Sequence, residues 1–256
     1  MKFLSYAVCA FAVLAFASCK DDNKVKPEPV TPATKGSVTM HFDNYVGSQP
    51  MELNSNTSYK NEHGDDFKVT RYNYYVSNIV LKGDAGLTYI EAESYHLVTQ
   101  EIDSSMTFVL DSVPSGTYTS VQIMLGVDSY KNVSGVQTGP LDPGHGMFWT
   151  WNSGYIMAEM EGTSPQSTTN NLLSFHIGGF SGDYNAVTTV VLPFPQKMVV
   201  SDKTTNKISL KSDLLTWFKS PNLIDFSVLN TVASIGPDSK RIATNYSTML
   251  TVTQVQ

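Results

Sequence analysis

Five histidines, His41, His63, His96, His145 and His176, are the side chains of this 256-residue chain best suited to chemistry. No two have the spacing of a metal motif such as His-x-x-x-His. His63, between Glu62 and Gly64, reads as a turn residue, and His41 and His96 fall on strands beside apolar neighbours. His176 stands apart. In Leu172-Leu173-Ser174-Phe175-His176-Ile177-Gly178-Gly179 the apolar residues alternate, so Leu173, Phe175 and Ile177 face one way and His176 the other. The glycines that follow let another segment approach the imidazole closely. Copper(I) favours imidazole and thioether donors, and Met147 and Met157 flank the region from which such a segment would come; methionine is otherwise core filler. Other chemistries find no footing. There is no Gly-x-Ser-x-Gly elbow and no glycosidase-like carboxylate pair. Gly178-Gly179-Phe180-Ser181-Gly182 lacks the lysine and helix of a phosphate loop. The chain reads as a non-enzyme.

The elements that must position these residues are strands. Val38, Met40 and Phe42 alternate, Tyr72 to Leu81 is a long aromatic and β-branched run, and Val121, Ile123, Leu125 and Val127 share a face. Further strands are expected at 87–91, 95–99, 106–111, 154–161, 172–178, 186–193, 196–200 and 206–210. Only Ser212 to Lys219 has a short helical pattern. Many short strands punctuated by turns predict an all-β fold, a β-sandwich with long functional loops and a short helix near the C-terminus. The stretch Asp128 to Asn152 is rich in glycine and proline yet holds Met147, Phe148, Trp149 and Trp151. A merely solvated loop would not carry such rings, so this one is packed or functional.

The N-terminal residues read as export machinery. Residues 1–18 form a signal peptide, with Lys2 as its positive end and Phe3 to Phe16 as its apolar stretch. Small residues then precede Cys19, the pattern of a lipoprotein signal with Cys19 as the lipidated residue. The alternative is cleavage near Ala17 with Cys19 a bystander thiol. The other cysteine, Cys9, falls inside the signal, so no disulfide or thiolate metal site is expected in the domain. Residues 19–36 read as a solvated tether, and 37–256 as a single β domain. Lys20-Asp21-Asp22 after the cysteine is similar to the surface-export signal of Bacteroidetes lipoproteins, which implies an outer-membrane location, exposed at the cell surface; simple solubility is the other reading. Removing residues 1–18 takes the net charge from −6 to −7. An acidic domain without a basic cluster argues against nucleic-acid binding.

One resemblance joins these signals. Gly146-Met147-Phe148-Trp149-Thr150-Trp151-Asn152-Ser153-Gly154-Tyr155 is similar to the Met-Phe/Tyr-Trp-x-Trp-x-x-Gly-Tyr signature of the MbnP-like family. Tyr74 to Leu81, Leu125-Gly126-Val127-Asp128-Ser129 and Phe175-His176-Ile177-Gly178-Gly179 match in order, as does the opening Phe42-Asp43-Asn44-Tyr45-Val46-Gly47. The resemblance implies a copper-binding protein of the envelope, found with methanobactin and related copper-handling systems. It implies a partner di-haem cytochrome peroxidase of the MauG type that oxidises Trp149 or Trp151 to kynurenine, with His176 as a copper ligand. Where methanotroph members have a further histidine, in a Leu-Asn-His setting, this chain has Lys131-Asn132-Val133; His145, just before Gly146-Met147, is its candidate replacement. The candidate metal set is therefore His176, His145 and Met147. A metal-free alternative stands beside it: a surface binding or structural module whose paired tryptophans plug one end of the sandwich.

Overall fold

The protein is described by a computed structural model covering residues 34–150 and 152–256; the expected signal peptide, Cys19 and nearly all of the tether lie outside the described residues. Among the described residues there are fifteen strands, the first eight being β1 (Lys35–Val46), β2 (Gln49–Pro50), β3 (Tyr59–Lys60), β4 (Asp66–Gly83), β5 (Thr88–Ile90), β6 (Tyr95–Thr99), β7 (Thr107–Pro114) and β8 (Gly116–Leu125). After the aromatic-rich connection come β9 (Phe148–Thr150), β10 (Gly154–Thr163), β11 (Leu172–Gly178), β12 (Thr188–Val200), β13 (Asn206–Asp213), β14 (Thr231–Val232) and β15 (Leu250–Val255). One sheet runs β15-β13-β1-β2, with β7 also on β1; the other runs β12-β8-β4-β10-β11-β14, with β3, β5, β6 and β9 paired onto it. The expected all-β sandwich is thus observed.

Alternation puts the core between the sheets. Val38, Met40 and Phe42 of β1 are fully buried, as are Tyr72 and Tyr74 of β4 and Phe175 of β11. Phe42 meets Tyr74 edge-on at 6.3 Å between centroids. Two hydroxyls sew the layers together: Tyr74 Oη donates to Asn44 Oδ1 at 2.9 Å, and Tyr72 Oη lies 2.9 Å from Ser212 Oγ. Buried phenols need such partners.

A short helix near the C-terminus is present as expected, but the segment that forms it is not Ser212 to Lys219. The chain remains in β13 through Asp213, and Leu214–Phe218 is a 3-10 turn, which aligns Leu214 and Trp217 toward the core. The longer helix is Pro237–Tyr246, opened by proline at its start. Hydrophobic periodicity misses it because its inward face includes Ser239 and Asn245. Asn245 Nδ2 donates to the carbonyls of Trp217 and Asn222, and Ser239 Oγ donates to that of Gly178.

The Asp128–Asn152 connection is indeed packed. It starts with a short helix, Ser129–Val133, and folds over the outer face of the larger sheet. Tyr75 Oη donates to the Pro140 carbonyl at 3.1 Å and Tyr155 Oη to that of Leu141 at 2.7 Å. Asn132 is the inner staple: its Nδ2 donates to the Val127 and Asp128 carbonyls and its Oδ1 accepts from Tyr155 N–H. Gly154 is required beneath it, at φ +73°, because a Cβ there would come within 2.1 Å of Asn132 Oδ1. Among the described residues no helix is long and apolar enough to cross a membrane.

Candidate metal centre

Strand pairing builds the site. On the outer face of the larger sheet, Asn73 of β4 pairs with Glu159 of β10, which pairs with His176 of β11. The next row is Arg71, Glu161 and Ser174. Glu159 and Glu161 are two residues apart on one strand, so both carboxylates emerge on the side occupied by His176.

His176 Nε2 lies 3.1 Å from Glu159 Oε1 and 2.9 Å from Glu161 Oε1, with Ser174 Oγ at 3.4 Å. An imidazole nitrogen carries at most one hydrogen, so it can donate a full hydrogen bond to only one of the two carboxylates. Glu159 is 4 % exposed, and burial holds its carboxyl above the usual range; the Asn73 hydrogen bond and the charges of His176 and Arg71 act against that. Asn73 Nδ2 donates to Glu159 Oε2 at 2.8 Å, while Arg71 stands off at 3.8 Å from Oε1. The ligand atoms of Glu159, Glu161 and His176 all fall within 4.8 Å of one another, close enough to converge on one ion.

The tryptophan loop reaches this face. A Cβ added to Gly178 would come within 2.4 Å of the Trp149 ring, so the indole rests directly on the bare backbone two residues beyond His176 on the same side of β11. Trp149 is therefore beside the cluster; Trp151 lies outside the described residues.

Other candidates sit elsewhere. His145 turns its Nε2 to the Gly139 carbonyl at 3.0 Å and lines a separate groove with His96. Met147 is sealed in the core at 0 % exposure, where its carbonyl accepts Ile156 N–H and anchors the loop. Met157 is likewise buried, its sulfur taking up Val127 N–H at 3.2 Å. Neither His145 nor Met147 is among the contacts of His176, and Val133 is exposed to solvent. Of the expected ligand set, His176 alone is in the cluster, and its partners are carboxylates. A signal for them was present in the sequence: acids at i and i+2 inside the apolar run Tyr155-Ile156-Met157-Ala158-Glu159-Met160-Glu161-Gly162.

A second cluster joins His63, Asp65 and Asp225. His63 Nδ1 is 3.1 Å from Asp65 Oδ1, and Nε2 is 3.6 Å from Asp225 Oδ2. Asp65 Oδ2 accepts from Phe226 N–H and Asn61 Nδ2, so this cluster ties the turn before β4 to the 224–230 segment.

The MbnP family model matches residues 35–235, most of the chain and all of the sheet carrying His176. The chain belongs to the MbnP family. MbnP from Methylosinus trichosporium has a similar structure, with a TM-score of 0.51 over 79 % of this chain and 82 % of that one. Identity is 14 %, so the likeness is one of fold. No curated protein matches this chain. Within the MbnP match fall Asn73, Trp149, Glu159, Glu161 and His176; the whole Pro237–Tyr246 helix and strand β15 lie beyond it.

One imidazole with two carboxylates is a borderline-to-hard donor set. It suits copper(II) or zinc(II), whereas copper(I) prefers thioether and thiolate sulfur.

Proposed function

We propose that the chain is a copper-handling protein of the cell envelope that holds copper as cargo and catalyses no reaction of its own. Family membership supports the copper connection. The observation that carries the site assignment is the convergence of Glu159 and Glu161 on the single Nε2 of His176. Two carboxylates facing one nitrogen repel each other, and a divalent cation between them removes the repulsion while replacing a hydrogen-bond set that one proton cannot complete. Lipidation at Cys19 would hold the domain at the outer membrane, its tether keeping the cluster accessible.

Titration of the full chain, purified in detergent, with copper(II) tests the assignment. One equivalent binds to wild type. His176→Ala and Glu161→Gln each weaken binding by more than about tenfold, since even outer-shell changes commonly cost that much. Equal, stoichiometric copper in wild type and His176→Ala would place the site elsewhere.

The finer reading adds a modification. Trp149, half-buried against Gly178 two residues from His176, is the indole that a partner di-haem peroxidase would oxidise with peroxide in this reading. Cleavage of the indole C2–C3 bond takes up two oxygen atoms, and hydrolytic loss of the formyl carbon as formate leaves kynurenine, about 4 Da heavier. Intact-protein mass after co-expression with such a peroxidase checks this; an unchanged mass removes the modification from the proposal.

A metal-free reading has one observation in its favour. A groove of about 330 Å³, walled by Leu97, Ile102, Phe108 and Pro140 with His96 and His145 at its edge, is of ligand-binding size. Ligand binding unaffected by chelator treatment would favour it.

A further inference from the structure

Asn73 is the residue of the cluster whose chemistry is incomplete. Its side chain is 6 % exposed, and its amide nitrogen donates to Glu159 Oε2 at 2.8 Å. Its carbonyl oxygen, Oδ1, is buried with no hydrogen-bond partner, one of two such side-chain atoms among the described residues. An orphaned buried acceptor costs about 1–3 kcal/mol, and native folds keep few of them without a reason. Turning the amide over does not cure it, because the amide nitrogen would then be the buried group without a partner. A cation would cure it: amide carbonyls are ordinary ligands for hard and borderline ions.

Charge points the same way. Glu159 and Glu161 present two carboxylates to a cation bound at the cluster. Arg71 is divided between Glu159, at 3.8 Å, and Glu101, at 3.7 Å, both beyond hydrogen-bond range. The arginine is thus largely offset by Glu101, and the balance left at the cluster is that of two carboxylates. A divalent ion neutralises them; a monovalent one does not.

We propose that Asn73 Oδ1 is the fourth protein ligand of the cluster. With His176, Glu159 and Glu161 it makes a one-nitrogen, three-oxygen site selective for a divalent transition cation over copper(I). The inference rests on the copper reading for the location of the site and goes beyond it in naming the ligand and the oxidation state.

Two substitutions separate a ligand from a positioning residue, because Asn73 has two distinct ends. Asn73→Asp keeps an oxygen at the ligand position and loses the donor to Glu159; Asn73→Leu loses both. Copper(II) and zinc(II) titrations of the full chain are expected to show wild type and Asn73→Asp within about threefold of each other, and Asn73→Leu weakened at least about tenfold. Equal weakening of both variants would show that Asn73 acts only by holding Glu159, and Asn73→Leu binding like wild type would give it no part; either overturns the proposal. Should Asn73→Leu not fold, as read by circular dichroism, the electron paramagnetic resonance spectrum of bound copper(II) decides. Replacing a neutral amide oxygen by a charged carboxylate in the coordination sphere shifts the copper signal between wild type and Asn73→Asp. Superimposable spectra overturn the assignment. For selectivity, copper(II) displaces bound zinc(II) and an equal concentration of copper(I), under anaerobic conditions, leaves it in place; displacement by copper(I) sinks that half. Loss of the copper reading itself is distinguishable, since it appears as undiminished copper(II) binding in His176→Ala.

Discussion

The contact between Trp149 and Gly178 fixes how near the loop comes to the cluster. The benzene edge of the indole can reach β11 because position 178 has no side chain, and any Cβ would sit inside van der Waals range of the ring. Gly178→Ala is expected to push the indole outward and cost about 1–3 kcal/mol, the usual range for overpacking a tight site. Denaturant titration measures the cost. Tryptophan emission is expected to shift to longer wavelength as the ring gains water; unchanged stability and emission would mean that the loop is not seated there. Glu159 illustrates the opposite constraint. A carboxylate on a strand buried on both faces persists because cross-strand partners surround it, and the same partners make it available to a cation.

At the scale of elements, β10 is the organiser. It lies between β4 and β11, with core on one face and the aromatic loop on the other, which explains why nearly every residue of it is buried. A register shift between Ile156 and Ala158 admits one extra residue, Met157, where the strand leaves the loop contact and enters the ladder. Elsewhere a polar clasp does the joining. Asp65 raises the pKa of His63 above its ordinary value of 6.5, with Asp225 adding to the effect. A histidine with a raised folded-state pKa stabilises the fold fully below its unfolded pKa, and this contribution fades as pH climbs through the folded value. His63→Ala is therefore expected to lower Tm at about pH 5.5, where the imidazolium is present, and to have little effect at about pH 8.5. Equal losses at both pH values would show the clasp to be packing rather than charge.

For the whole molecule, two sheets sharing one aromatic core make a rigid base, and the functional groups occupy the outer face of the larger sheet. Trp217 contacts Tyr72 at 5.7 Å and Tyr246 at 5.1 Å between centroids, locking the C-terminal helix to that core. Ser239 Oγ both donates to Gly178 O and accepts from Gly178 N–H, so the same helix also clamps the end of the strand that carries His176. Delivery to the membrane belongs to this scale too. If the proposed lipidation holds the domain, Cys19→Ser moves the protein from the detergent phase to the aqueous phase in phase-separation assays. Identical partitioning of the two forms would remove the anchor.

The amino-acid sequence by itself determined the strand pattern, the two-layer class, the membership of a family and the outward direction of His176, because alternation is a local property carried by neighbouring residues. It also marked the aromatic connection as packed, since large rings in a glycine-rich segment must be buried by something. It did not determine who meets His176. Met147 and His145 are near the tryptophans along the chain yet are held by the core and by the Gly139 carbonyl, whereas Asn73 and Glu159 are distant in number and adjacent in space. Ligand convergence depends on which strands become neighbours and in what register, and a one-residue slip in either pairing would turn the acids away. The helix at Pro237–Tyr246 is not legible in the sequence for a related reason: its inward face includes polar side chains whose partners exist only in the folded chain.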